Sequence, residues 1–234
     1  MTSSSLPPVF PPNSVYTSCW CEENIYLLCK AFLDQSQIVK IWEVFVVFIS
    51  NDSKTVALLN QKAARSDDSV VVWDYHVILV LRQRDSSSGV NPQEHESDQT
   101  WGQSWVYDLD TRLTMPCTWG EYQEHTFPKA IQAQCHGYHS IFRVIPGETY
   151  VNYFASDRSH MLVSRDIDLQ DDPVKQIYLS PPPLYGPICG KRAAENGITN
   201  NLMTSFISMS GPGVTYGDVL DLKGIHAIFK DSSR

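Results

Sequence analysis

The stretch SVVVWDYHVILVLRQ, Ser69 to Gln83, constrains this chain more than any other. It is β-branched and aromatic almost throughout, the composition of a long strand. Yet Asp74 and His76 sit inside it. Alternation along a strand puts Val72, Asp74, His76 and Ile78 on one face and Trp73, Tyr75, Val77 and Leu79 on the other. An imidazole embedded in so apolar a run needs a polar partner. The ordinary way to supply one is a backbone carbonyl in the core; the alternative is a working site.

Other segments assemble around that strand. WEVFVVFIS, Trp42 to Ser50, reads as a buried strand stopped by the turn NDSK, and SWVYDLD, Ser104 to Asp110, as a third strand. The polar residues 84–103 between the second and third read as a surface excursion closing a hairpin. SIFRVI is a further strand, closed by Pro146-Gly147, and ETYVNYF a short helix. SPPPLYGPICG is an irregular connection, while NLMTSFISM and LKGIHAIFK are predicted helices. Ile25, Leu28, Cys29 and Phe32 recur at the spacing of one helix face, in a helix expected from about Trp20–Glu22 to Asp34–Ser36. Residues 1–15, rich in Pro and Ser, are expected to be a mobile leader. The reading is one α+β domain over 16–234 with a mainly antiparallel sheet.

Of the 234 residues, 42% are hydrophobic and 19% charged, as in a folded globular protein. The net charge of −8 offers no bulk attraction to nucleic acid or to anionic lipid. No Lys or Arg precedes Lys30, and no apolar run approaches the roughly 20 residues that span a bilayer. The expectation is a soluble intracellular protein, cytoplasmic and also nuclear, with no membrane and no nucleic-acid partner. Six cysteines occur without a CxxC, so a structural zinc site has no usual anchor. CHGYH, Cys135 to His139, reads as a polar loop rather than a ligand cluster, and GPGV, Gly211 to Val214, is a loop without the lysine of a phosphate cradle. No metal and no cofactor are expected.

Two thiols, Cys19 and Cys21, stand one residue apart where the first helix begins. A helix N-terminus favours an anion, but only by about 0.3–1 kcal/mol. Glu22 and Glu23 oppose a thiolate there. An imidazolium about 4 Å away would contribute about 4 kcal/mol at an effective dielectric near 20. A histidine therefore decides whether Cys21 is a nucleophile, and His76 is the best placed. Asp74 lies two residues along the same strand, about 6.6 Å away at ~3.3 Å per residue, and is poorly aimed at the ring. A partner on a neighbouring strand is closer, and YDLDT supplies both Asp108 and Asp110. Periodicity does not choose between them. The constellation is cysteine on a helix start, histidine on a strand and aspartate on the next strand: nucleophile, base and orienting acid.

SCWCEEN, VVWDYHV, YDLDT, FASDRSHM and FISM, in this order, resemble the family of protein N-terminal glutamine amidohydrolases, eukaryotic enzymes that deamidate an N-terminal Gln to Glu. The resemblance runs from about Tyr16 to about Phe229. It implies a papain/transglutaminase-like fold, Cys21 as nucleophile, His76 as base and Asp108 as orienting acid. It also implies action on proteins or peptides with a free N-terminal Gln, feeding an N-degron pathway; a monomer is expected. The chain differs from the family pattern in the acidic 84–103 excursion and around 166–176. Glu22, Glu23, Asp74 and Asp157 are the acids available to receive the substrate ammonium; alternatively Asp157 pairs with Arg158. Trp20, Trp73 and Tyr75 wall the pocket or pack the core. Rival readings are a cysteine peptidase or transglutaminase-like enzyme, and a non-catalytic interaction domain in which Cys21 and His76 are merely buried.

Overall fold

The computed structural model describes residues 6–84, 103–130, 136–163, 177–210, 213 and 215–230. Its strands are β1 (Trp42–Ser50), β2 (Val56–Leu58), β3 (Val71–Trp73), β4 (His76–Gln83), β5 (Ser104–Tyr107), β6 (Cys117–Thr118), β7 (Ile141–Pro146) and β8 (Asp218–Leu220). Six of them form one sheet in the order β6-β5-β4-β1-β7-β8, with every neighbouring pair antiparallel. β2 and β3 form a separate two-stranded ribbon. Helices α1 (Cys21–Leu33), α2 (Ser36–Ile41), α3 (Trp119–Thr126), α4 (Gly147–Tyr153), α5 (Lys191–Glu195) and α6 (Leu222–Phe229) lie around the sheet. The architecture is α+β in a single domain. Among the described residues no helix is long and apolar enough to cross a membrane.

The period-two pattern of the central strands builds two cores. Val46, Phe48, Val77 and Leu79 face Ile25, Leu28 and Phe32 of α1. Val47, Ile49, Ile78 and Val80 face the other way, onto Trp119 and Tyr122 of α3 and Phe229 of α6. With both faces covered by helices, β1 and β4 read as near-continuous apolar runs.

The strand expected over 69–83 is broken in two. β3 pairs with β2 and β4 with β1, so the chain changes sheets at Asp74-Tyr75. The Ser50 hydroxyl donates to the Asp74 carbonyl at 2.7 Å and holds the jog. Asp74 is thereby exposed while His76 opens β4 in the buried layer. The third strand is shorter than expected and stops at Tyr107. NLMTSFISM forms a π-helical turn, Leu202–Ile207, rather than an α-helix. Part of the expected leader is placed: Phe10 meets Tyr107 edge-on, and the Tyr107 hydroxyl donates to the Pro8 carbonyl. Residues 1–5, most of the 84–103 excursion, the segment 164–176, Cys135 of CHGYH and most of GPGV lie outside the described residues. Gln83 and Gln103 nonetheless share a backbone hydrogen bond that closes the base of the expected hairpin.

Phe48 is fully buried and packs against Tyr75, Tyr150 and Phe206. Truncating it to Ala should lower unfolding stability by about 3–5 kcal/mol, because the rings around it cannot collapse into the space. Urea unfolding of Phe48→Ala against the parent checks this.

Candidate active site

The entry to α1 is fixed before its first residue. The Asn24 amide brackets Thr17, accepting from its N–H and donating to its carbonyl, both at 2.8 Å. Trp20 is fully buried, and its indole N–H donates to the Pro181 carbonyl at 2.9 Å. No side chain caps the helix at Trp20, so the first amides of α1 have no intrahelical acceptor. Cys21 follows at the first helical position, half-buried, where α1 packs on β4. The backbone N–H of Val77, next to His76, is directed at its sulfur. Burial nevertheless pushes the Cys21 thiol well above its ordinary pKa, and the charges of Glu22, Asp110 and Asp74 push the same way.

His76 is almost wholly buried, with Nε2 3.0 Å from Oδ2 of Asp108. The approach departs from a straight N–H···O line, and the contact becomes an ion pair whenever the imidazole is protonated. Asp108 is held from two further sides: Tyr122 donates its hydroxyl to Oδ2 at 2.8 Å, and the Asp110 N–H donates to Oδ1 at 2.8 Å. Tyr122 is presented by α3, whose start is locked by a reciprocal capping box between Thr118 and Glu121. Burial disfavours the charged form of His76, but the Asp108 carboxylate overcomes it and raises the imidazole pKa. Burial likewise opposes the charge of Asp108, and the imidazolium, the Asp110 amide and the Tyr122 hydroxyl together bring its pKa down.

Cys19, Cys21, Trp73, Asp74, Tyr75, His76, Asp110, Met161 and Leu179 line one cavity of about 200 Å³. Among the described residues, its only basic wall residue is His76. The Trp73 ring stacks over the imidazole at 6.2 Å and 19°. Asp110 accepts a 2.6 Å hydrogen bond from Tyr16 on Oδ1, and burial raises its pKa.

Behind the Cys21–Tyr75 wall is a second polar cluster. Glu22 is fully buried, with Oε2 3.8 Å from the Cys21 sulfur. That oxygen accepts the Tyr75 hydroxyl at 3.0 Å, and Oε1 lies 3.3 Å from Nε2 of His160. Glu23, equally buried, is instead gripped through both oxygens by Arg158 at 2.8 and 2.7 Å. The Arg158 guanidinium sits over the rings of Trp20 and Tyr185.

The family model for N-terminal glutamine amidase matches residues 16–229. The chain is 38% identical to the protein N-terminal glutamine amidohydrolase of Danio rerio, over 89% of this chain and 85% of the relative. It is 36% identical to that of Drosophila mojavensis, over 86% and 83%, and 38% identical to that of Caenorhabditis elegans, over 73% and 75%. The chain belongs to the N-terminal glutamine amidase family.

For this amidase-family chain, the structure brings Cys21, His76, Asp74 and Asp110 to one cavity and sets Asp108 against His76. It also accounts for the ambiguity between the two aspartates. Leu79 pairs with Tyr107, so a straight continuation of β5 would set Asp110 opposite His76. The strand ends first, and the Asp108–Asp110 turn carries Asp108 to the ring. The other acids are placed differently. Glu23 is consumed by Arg158. Asp157 is exposed and caps a local turn, accepting from the Ser159 N–H at 2.9 Å and the Asn200 amide at 2.6 Å. It neither lines the cavity nor pairs with Arg158. Trp20 packs in the interior, whereas Trp73 and Tyr75 do wall the cavity. Tyr122, Tyr16 and His160 were not singled out in the sequence. Thr118-x-x-Glu121 was a legible helix start that could have pointed to Tyr122.

Because its pKa is raised on folding, His76 contributes stability that is complete below the ordinary imidazole value and lost as pH rises through the raised one. Asp108 contributes stability above the ordinary carboxylate value that is lost as pH falls through its lowered one. Replacing Asp108 by Asn leaves burial as the dominant influence on His76. Its midpoint should then move from above to below about 6.5. Imidazole C–H resonances followed against pH read this directly; equal midpoints in parent and variant would contradict the coupling.

Proposed function

We propose that this chain hydrolyses the side-chain amide of an N-terminal glutamine in proteins or peptides, giving N-terminal glutamate and ammonia. The observation that carries the proposal is one anionic cavity shared by Cys21 and His76, with Asp108 pressed against the far side of the imidazole. Family membership and the names of the relatives support the same substrate. The Cys–His–Asp order on a helix start, a strand start and the end of the next strand supports a papain/transglutaminase-like core.

In the proposed reaction His76 removes the thiol proton of Cys21, and the sulfur attacks the γ-carboxamide carbon. Acceptor-free amides at the start of α1 are suited to hold the oxyanion. The imidazolium protonates departing ammonia, and neutral His76 then activates water against the thioester. Asp108 keeps the ring oriented and stabilises the imidazolium. The substrate ammonium is drawn to a cavity whose wall carries Asp74 and Asp110. The product, an N-terminal Glu, feeds an N-degron pathway.

Incubation with a Gln-initiated peptide should release ammonia and convert the first residue to Glu without chain cleavage. Cys21→Ala and His76→Ala should both abolish this, and Asp108→Asn should reduce it by orders of magnitude. Cys19→Ala should retain most of it. A dead Cys19→Ala beside an active Cys21→Ala would reverse the assignment of the nucleophile.

Acetylating the substrate N-terminus removes a charge-assisted contact and should lower kcat/KM by about 30- to 5,000-fold. Asn-initiated and internal-Gln peptides should also fail. Comparable ammonia release from acetylated and free peptides would point instead to a general glutaminase.

A further inference from the structure

Two titratable groups behind the cavity take no part in the proposed reaction, Glu22 and His160. Glu22 is fully buried in the first turn of α1, with Oε2 3.8 Å from the Cys21 sulfur. After burial itself, its charge is the largest influence raising the Cys21 pKa. A carboxylate enclosed in this way needs a compensating charge. Arg158 does not supply it, because Glu23 takes its guanidinium through both oxygens.

His160 reaches Glu22 instead, from the 3₁₀ turn Ser159–Met161, with Nε2 3.3 Å from Oε1. Tyr75 closes the cluster. Its hydroxyl donates to Oε2 of Glu22 at 3.0 Å and lies 3.3 Å from the same Nε2. Nδ1 of His160 is buried and has no hydrogen-bond partner among the described residues. The ring is therefore held by Glu22, by Tyr75 and by the edge of Trp20 at 5.9 Å. Three more tyrosines stand around the cluster. Tyr150 donates its hydroxyl to the Glu22 carbonyl, Tyr178 meets Trp20 edge-on, and Tyr185 stands by the Glu23–Arg158 pair. None of them brings a positive charge.

We infer that His160 is a positioning residue for Cys21: it holds and offsets the Glu22 carboxylate, and so governs how readily the sulfur reacts. The step it serves is the first proton transfer, from the Cys21 thiol to His76, which leaves a thiolate beside Glu22. A cation on the other oxygen of that carboxylate lowers the repulsion the thiolate meets. Without it, two negative charges stand 3.8 Å apart. His160 is not among the residues that line the cavity, so its effect reaches the substrate through Cys21.

The test compares His160→Gln, Glu22→Gln and the double variant. His160→Gln keeps an N–H donor and loses the charge; Glu22→Gln removes the carboxylate at nearly constant shape. Iodoacetamide alkylation, read at Cys21 by mass spectrometry as a function of pH, reports the thiol and does not depend on the deamidase reading. His160→Gln should move the alkylation midpoint up, so that the rate at a fixed pH below it falls at least about tenfold. Glu22→Gln should move the midpoint down. Adding His160→Gln to Glu22→Gln should then change little, because the histidine acts through the carboxylate. In turnover of a Gln-initiated peptide, which does rest on that reading, His160→Gln should lower kcat with KM nearly unchanged. A midpoint unchanged or lowered in His160→Gln, or raised equally with and without Glu22, would overturn the proposal. Should His160→Gln fail to fold, the double variant must fold, since it no longer buries an unpaired carboxylate; its failure would equally overturn the proposal. The expected alkylation pattern in a chain that releases no ammonia would uphold the role of His160 towards Cys21 while defeating the functional reading.

Discussion

A histidine and an aspartate shielded from water at the end of a sheet form the contact around which the site is organised. Neither charge would be tolerated alone there, since the cost of desolvating an ion amounts to several kcal/mol. The pair survives because its remaining lone pairs are also taken. Tyr122 and the Asp110 amide both donate to Asp108, and Trp73 covers the ring of His76. Those partners come from α3, the turn after β5, and the ribbon strand β3. One His–Asp contact therefore gathers side chains from three separate pieces of chain. The jog at Asp74-Tyr75 belongs to the same requirement: it lets Trp73 leave the main sheet and return as a lid on the imidazole that β4 presents.

Cys21 is held from the opposite side by a second set of charges. Consecutive glutamates at a helix start would ordinarily be solvated and complement the macrodipole. Here both are buried. Glu23 has a partner whose charge is permanent, Arg158, anchored by two carboxylate contacts and two rings. Glu22 has a histidine, a tyrosine hydroxyl and the Cys21 thiol. The first pair is a fixed strut for the entry to α1; the second sets the Glu22 carboxyl 3.8 Å from the sulfur, where it raises the Cys21 pKa.

Much of this was legible in the sequence because alternation and helix spacing report burial directly. The faces of β4 and α1 follow from them, and the helix-start cysteine and strand histidine they singled out line one cavity. What alternation could not carry was where a strand ends. Asp108 and Asp110 share a face by period two, so only the termination of β5 at Tyr107 distinguishes them. The break before His76 was hidden for a related reason. Val71–Trp73 and His76–Gln83 are equally β-prone, and the change of sheet depends on β2 and on Ser50, distant in sequence. Asp157 next to Arg158 suggested a local pair, yet the arginine reached back to Glu23 because a buried carboxylate has the stronger claim on a guanidinium than an exposed one.

The electrostatics of the cavity and the chemistry proposed for it bear on each other. Asp74 and Asp110 on the wall, with Glu22 behind it, make the site attractive to a cation and the Cys21 thiolate costly to form. A neutral amide would meet only the second effect. A substrate carrying its own ammonium offsets the carboxylates as it binds, lowering the cost of the thiolate at the moment the carboxamide arrives. Selection for a free N-terminus and activation of the nucleophile would then be one event. Discrimination against blocked substrates should accordingly appear in the chemical step as well as in binding, because a ligand lacking the charge leaves the sulfur in its resting, protonated state.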